Sequence, residues 1–173
     1  MPKWYGGSTL NPDELLSPKD QWIDQWDRLN RWYKRTQLIK VKSKNEELDS
    51  FDIDIIITFF QNCFHLKDWL LTSLPTLGQD VQNLFKNNIE MGACRDICHG
   101  FKHKKLSNPT YDADFNIYKE YDHFFVETPV STTPIIYNIA FSYQDHIKKY
   151  EMFDFIENCY KIWKEFLENK KML

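Results

Sequence analysis

The sequence predicts a mainly α-helical protein, an antiparallel bundle of four or five helices with a β-hairpin inserted before the last helix. Two observations support this fold class. Long stretches repeat apolar residues every three or four positions, which is typical of helices that bury one face. The pattern changes at about 112–145, where residues 115–126 are rich in aromatic and β-branched side chains and residues 135–144 alternate apolar and polar, both of which are typical of strands.

The first predicted helix begins at Ser17-Pro18 and ends near Leu38. A serine is a suitable N-cap, and proline suits the first helical position. The buried face is marked by spacings of four, three and four residues, at Trp22, Trp26, Leu29 and Tyr33. The end of the helix is rich in basic residues, which either pair favourably with the helix dipole or contact nucleic acid. They are Arg31, Lys34, Arg35, Lys40, Lys42 and Lys44.

Three further helices are predicted before the hairpin. The second runs from Asn45 to about Ser73, and its broad apolar face indicates a central helix that is packed on two sides. The third follows Pro75 and is expected to start with a capping box between Thr76 and Gln79. The fourth covers about 89–104.

The predicted hairpin strands lie at about 115–126 and 135–144, and a longer loop connects them. The last helix is predicted over about 150–170, where apolar residues again recur at helical spacing. No linker or internal repeat divides the chain, so we expect one domain over 1–173 with an irregular lead-in at 1–16.

Composition excludes several classes of protein. Hydrophobic residues make up 42% and aromatic residues 16%, which is too apolar for a disordered chain. The net charge of −3 excludes a globally basic DNA-wrapping protein and makes specific DNA binding unexpected. No run of about 18 apolar residues is present, and the first residues lack the apolar core of a secretion signal. We therefore expect a soluble, cytoplasmic protein without a membrane partner.

The four cysteines are predicted to be buried apolar residues: Cys63, Cys94, Cys98 and Cys159. With no secretion signal, a disulfide framework is not expected. The spacing of Cys94, Cys98, His99 and His103 leaves zinc binding open as an alternative, but the C-x2-C knuckle of structural zinc sites is absent. Phosphate-loop, dinucleotide-binding, H-E-x-x-H and G-x-S-x-G motifs are also absent, so we predict no metal and no cofactor.

The fourth predicted helix carries the strongest indication of function. At 100° per residue, five polar side chains fall within about 120° of its circumference. They are Arg95, Asp96, His99, Lys102 and His103. Arginine grips a phosphate in a permanently charged, bidentate way, and histidine exchanges protons near neutral pH. This pattern suits metal-free RNA cleavage, in which the 2′-hydroxyl attacks the neighbouring phosphorus. The alternative is a solvated face in which Asp96 pairs with Arg95 or Lys102.

The segment Cys94-Arg95-Asp96-Ile97-Cys98-His99-Gly100-Phe101-Lys102-His103, with the earlier Phe64-His65-Leu66-Lys67-Asp68-Trp69, resembles the HEPN superfamily. The hallmark of that superfamily is an arginine, a polar residue and a histidine after four to six intervening residues. Arg95-Asp96 matches the first two elements, whereas three residues separate Arg95 from His99 and seven separate it from His103. The resemblance implies a helical bundle that dimerises, so that the polar faces of two protomers form one composite RNase site.

Two functions follow from these expectations. The first is a metal-independent endoribonuclease of a toxin or defence type. In this enzyme Arg95 holds the phosphate, His99 or His103 acts as acid or base, and Lys102 stabilises charge. The alternative is a non-catalytic HEPN-like module that binds RNA, a nucleotide or a protein partner, with the Arg, Lys and His motif serving a structural purpose. His65 and Asp68, three residues apart on the second helix, are candidate binding residues beside either site.

Overall fold

The computed structural model describes residues 20–102, 116–121, 135–143 and 146–173. Five helices and one antiparallel sheet make up this part of the chain. The helices are α1 (Gln21–Lys42), α2 (Ser50–Ser73), α3 (Gly78–Asn87), α4 (Ile89–Lys102) and α5 (Met152–Asn169). The strands are β1 (Asn116–Tyr121), β2 (Ile135–Tyr143) and β3 (His146–Glu151), and a short 3-10 turn, Pro75–Leu77, precedes α3. The mainly helical prediction is confirmed.

The apolar core lies where α1, α2, α4 and α5 meet. Each helix contributes fully buried side chains at helical spacing, as the sequence pattern predicted. A buried amide pair fixes the register between α1 and α2, because Gln25 Nε2 donates to both the carbonyl and the side-chain oxygen of Asn62 at 3.1 Å. The rings of Tyr33 and Tyr160 stack with centroids 3.9 Å apart and join α1 to α5.

The start of α2 corrects the sequence prediction. The helix begins at Ser50 rather than Asn45, because Asp49 and Asp52 form a reciprocal capping box at 2.9 and 3.0 Å. Lys42, at the end of α1, donates to both carboxylates. Lys40 likewise pairs with Asp154 at 3.4 Å. Ion pairs with carboxylates within the chain, which were not predicted from the sequence, therefore engage these two lysines.

Two other predicted helix starts also differ from the structure. The capping box expected between Thr76 and Gln79 is absent, because Thr76 lies in the 3-10 turn and no side chain caps α3. The last helix begins at Met152 and not near Tyr150, since the preceding residues form β3. Ser17, the predicted cap of the first helix, lies outside the described residues, and α1 continues to Lys42.

The predicted hairpin before the last helix is confirmed in its paired core. β1 runs antiparallel to β2, with Asn116 opposite Ala140 and Tyr121 opposite Ile135. β3 was not predicted. Its residues do not alternate apolar and polar, and it forms because β2 offers a second edge, on which Tyr143 lies opposite His146.

The sheet is anchored to the bundle through β2. Tyr137 and Ile139 are buried, and the Tyr137 hydroxyl accepts a hydrogen bond of 2.7 Å from the backbone N–H of Leu48. Among the helices described, none has the length and apolarity needed to cross a membrane.

Candidate functional site

A cleft of about 330 Å³ lies between α2, α3 and α4. Each helix contributes residues one turn apart, because side chains at positions i, i+3 and i+4 share a helix face. The lining consists of Phe64 and Lys67 from α2, Gln82, Phe85 and Lys86 from α3, and Gly92 and Arg95 from α4. We call this feature the Arg95 cleft.

Two phenyl rings form the apolar wall of the Arg95 cleft. Phe64 and Phe85 meet edge to face with centroids 5.8 Å apart. Phe85 contacts the buried ring of Trp163 at 5.9 Å, so the wall continues into the core. Phe64 is only 6% exposed. The wall is therefore held rigidly by packing.

Three cations from three different helices surround the same cleft. Lys67 Nζ lies 4.7 Å from the centroid of the Phe64 ring and 5.9 Å from that of Phe85. Arg95 is half-buried, and Lys86 is exposed. Among the described residues that line the cleft, none carries a carboxylate. Asp68 Oδ1 lies 3.7 Å from Lys67 Nζ, outside the lining, and Arg95 also interacts within the protein. The described lining of the cleft therefore carries three cationic side chains and no carboxylate, although the chain as a whole is acidic.

His99 contacts the wall of this cleft from α4. Its ring packs edge to face on Phe64, with centroids 5.0 Å apart and planes at 88°. It follows Arg95 by one helical turn and is half-buried. Of the predicted site residues, Arg95 therefore lines the cleft, and His99 contacts Phe64, which lines the same cleft.

The other candidates from the same helix have different surroundings. Asp96 was predicted on the polar face, but it is only 1% exposed and interacts within the protein. The helical wheel did not predict this burial because it describes α4 alone, whereas α4 packs against α2, α3 and α5. Lys102 ends the described part of α4, and His103 lies outside the described residues.

His65 and Asp68 do not line the Arg95 cleft. Both side chains are exposed on α2, where His65 neighbours the Phe64 ring at 6.3 Å and Asp68 pairs with Lys67. Sequence reasoning chose these two residues and missed Lys67, which lies between them and does face the cleft. Lys67 follows Phe64 by three residues, a spacing that puts both side chains on one face of α2 and that could have identified Lys67.

Sequence reasoning also missed the contribution of α3. Gln82, Phe85 and Lys86 share one face of that short helix. Nothing in the α3 sequence alone indicates that this face meets α4, since the contact depends on how the two helices pack in three dimensions.

The predicted burial of the cysteines is confirmed for all four. Within 20–102, 116–121, 135–143 and 146–173, no group of three or more His, Cys, Asp or Glu residues has a geometry that would hold a metal ion. Comparisons with protein-family models, curated proteins and solved structures found no match to this chain.

Proposed function

We propose that this protein is a HEPN-like helical-bundle module that binds a phosphate of RNA or of a nucleotide in the Arg95 cleft. One observation carries the proposal: Lys67, Lys86 and Arg95, from three helices, surround a single cleft whose described lining has no acidic residue. Arginine offers a planar, bidentate donor set, and lysines add point charges, which is the donor set that phosphate oxygens require.

The aromatic wall adds a second element of recognition. Phe85, which is half-buried and packs on the deeply buried Phe64, presents apolar ring surface beside the cations, and unpaired bases stack on such surfaces in a sequence-tolerant way. A volume of about 330 Å³ is at the lower end for small-ligand sites. This size suits one nucleotide unit, either free or within a single strand.

The binding experiment uses fluorescence anisotropy with a labelled single-stranded RNA, with AMP and inorganic phosphate as competitors. We expect saturable binding that Lys67→Ala, Lys86→Ala and Arg95→Ala each weaken by about tenfold or more, equivalent to about 1.4 kcal/mol. The matched control is Lys164→Ala, because Lys164 is an exposed lysine on α5 that pairs with Glu168. An equal loss of RNA affinity in Lys164→Ala, or unchanged affinity in the three cleft variants, would refute the proposed binding site.

The endoribonuclease is the second candidate, and the contact between His99 and Phe64 favours it. In this proposal the imidazole that packs on Phe64 exchanges a proton with the ribose of the bound nucleotide. In this reaction the 2′-oxygen loses its proton and attacks phosphorus, and the 5′-oxygen of the next nucleotide leaves and takes up a proton. Arg95 holds the phosphate oxygens, and His99 exchanges one of the two protons.

The remaining catalytic roles stay part of this second proposal. His103 is the candidate for the other proton, and Lys102 is the candidate for charge stabilisation. A homodimer, as the HEPN resemblance implies, would bring a second set of these residues to the composite site. Asp96 is buried, so we assign it no contact with substrate.

The cleavage experiment incubates the protein with labelled RNA in excess EDTA. The enzyme proposal expects products that end in a cyclic or 3′-phosphate, and expects their loss in Arg95→Ala and in His99→Ala or His103→Ala. RNA that is bound but not cut supports the binding module alone. Cleavage that survives the Arg95→Ala and both histidine substitutions would exclude this site as its source.

A further inference from the structure

A second group of cations and rings lies on α1 and α2. Its α1 members follow Arg28 by three, four and seven residues, so they fall within about 100° of the helix circumference. They are Arg31, Trp32 and Arg35. Trp69 of α2 adjoins them, because the guanidinium carbon of Arg28 lies 5.9 Å from the centroid of its ring. We call these residues the Trp69 face.

Both indoles of the Trp69 face carry an arginine. Arg35 Cζ lies 4.2 Å from the centroid of the Trp32 ring, and Arg28 lies over Trp69. Trp69 is 36% exposed and Trp32 is half-buried, so both tryptophans retain surface that solvent reaches. Unpaired bases stack on aromatic side chains and on guanidinium planes alike. Each pair therefore offers flat surfaces on which a base can stack.

The arginines of the Trp69 face are not neutralised by ion pairs with the part of the chain that the structure describes. Arg28, Arg31 and Arg35 are all exposed, and no carboxylate of the described residues lies within ion-pair distance of them. The sequence has no acidic residue between Asp27 and Glu46. These three cations therefore differ from the two lysines at the end of α1 that pair within the chain.

We propose that the Trp69 face binds single-stranded RNA, with bases stacked on its rings and guanidinium groups and with phosphates held by its arginines. Charge complementarity favours a polyanion, and tryptophans beside arginines favour a polyanion that carries unpaired bases. Arg31 and Arg35, from the basic end of α1, thereby take the nucleic-acid contact that the sequence left open. Trp69 and Lys67 lie about 200° apart around α2, so this face is separate from the Arg95 cleft. The inference stands whether or not the cleft binds a nucleotide.

Strand length distinguishes the two surfaces. Arg28 and Arg35 are seven residues apart, about 10.5 Å along the axis of α1, so more than one nucleotide is needed to cover the Trp69 face. A dinucleotide has a single phosphodiester and is the labelled RNA for the Arg95 cleft. The probe for the Trp69 face is a labelled oligouridylate of about 12 nucleotides, with AMP in excess to occupy the cleft.

Fluorescence anisotropy of the oligouridylate measures the contribution of stacking. Trp69→Ala, and Trp32→Leu, which keeps an apolar side chain against the core, are each expected to weaken binding by about tenfold. Arg35→Lys keeps the charge but loses the planar group, so we expect it to weaken binding as well. Val41→Ala is the control, because Val41 is 63% exposed on another side of α1. Circular dichroism melting establishes that each variant is folded, and unchanged affinity in both tryptophan variants would overturn the proposal.

Competitors separate base stacking from charge alone. An abasic strand of the same length has the same phosphates without bases, and polyglutamate of equal charge has neither. We expect both to compete about tenfold less well than unlabelled oligouridylate, because stacking is lost. Equal competition by the abasic strand would overturn the proposal. Equal competition by polyglutamate would also overturn it, and would indicate that the face binds acidic protein segments.

Asp24 provides a test with the opposite sign. It precedes Arg28 by one turn and shares the same side of α1. Its carboxylate repels the phosphates that the arginines attract, so we expect Asp24→Asn to strengthen oligouridylate binding by about twofold. Glu165→Gln is the matched control, because it removes one negative charge from an exposed residue of α5. Weaker binding in Asp24→Asn than in Glu165→Gln would contradict phosphate contacts beside Arg28.

The two probes keep this inference distinguishable from the proposed function. We expect Trp69→Ala to weaken binding of the oligouridylate and to leave binding of the dinucleotide unchanged. Oligouridylate binding that depends on Arg95 but not on Trp69 would overturn the Trp69 face and leave the proposed function intact. Oligouridylate binding that depends on Trp69, in a protein whose cleft binds no dinucleotide, would refute the proposed function alone.

Discussion

The ring of His99 packs edge to face on Phe64, with centroids 5.0 Å apart. This contact joins His99 of α4 to Phe64, the member of the aromatic wall that comes from α2. The same Phe64 ring carries Lys67 Nζ on its face at 4.7 Å. One buried phenyl ring therefore contacts both Lys67, on which the binding proposal depends, and His99, on which the cleavage proposal depends.

Substitution of Phe64 is expected to affect both stability and binding. Phe64→Ala removes a side chain that is 6% exposed, and such truncations cost about 3–5 kcal/mol. Urea denaturation measures this loss. Phe51→Ala is the control, because Phe51 is 69% exposed and its replacement should change stability by no more than about 0.5 kcal/mol. Similar losses in the two variants would contradict the packing described for the wall.

The salt dependence of RNA binding is expected to report the phosphate held in the Arg95 cleft. For a single strand, the logarithm of the binding constant falls with the logarithm of salt concentration by about 0.7 per phosphate neutralised. One phosphate among Lys67, Lys86 and Arg95 therefore predicts a slope of about −0.7. Each alanine substitution in the cleft should bring the slope closer to zero, and Lys164→Ala should leave it unchanged. A slope near zero would indicate that the ligand is held by apolar contact alone.

The pH dependence of stability should reflect the capping box of α2. A hydrogen bond from the Asp52 backbone N–H, followed by one from Lys42, lowers the pKa of Asp49 below its ordinary value of 3.8. Because the pKa of Asp49 is lowered in the folded state, the charged carboxylate contributes fully to the free energy of unfolding above the pKa of the unfolded chain. This contribution is lost as pH falls through the pKa of the folded protein.

We therefore expect Asp49→Ala to be less stable than the natural chain at pH 7, and the difference to narrow as pH falls below about 3.8. Urea midpoints measured from pH 7 to pH 3 give this comparison. Asp54→Ala, an exposed aspartate later in α2, is the control. A difference that does not change with pH would indicate that Asp49 acts without its charge.

Local sequence patterns predicted most of the elements but not the composition of the site. Apolar spacing located α1, α2 and α5 because their buried faces are long and regular. The spacing of Asp49 and Asp52 also fits a capping box, but the helix start was predicted earlier, at Asn45, which is followed by two glutamates. β3 carries no pattern of its own, because its pairing depends on the edge of β2.

The site could be predicted only in part, since three helices build it. Arg95 and His99 were identified from one helix, where their chemistry is evident. Lys86 became a candidate only once α3 was seen to turn towards α4. A helical wheel describes one helix alone and cannot indicate how many neighbours cover it. For this reason Asp96 was expected on an open face and is instead buried.

Asp96 gives the sharpest distinction between a structural and a functional role for the α4 motif. The residue is 1% exposed and interacts within the protein, so Asp96→Ala removes an interaction of a buried residue, at a cost of about 1–3 kcal/mol. Arg95→Ala is expected to cost less, because that side chain is half-buried and lines an open cleft. Urea denaturation compares the two, and RNA affinity is measured on each folded variant. We expect Asp96→Ala to lose mainly stability and Arg95→Ala to lose mainly affinity. If Asp96→Ala instead lost mainly affinity for RNA, Asp96 would contact the ligand. The ligand site would then have to extend beyond Gly92 and Arg95, the two α4 residues that line the cleft.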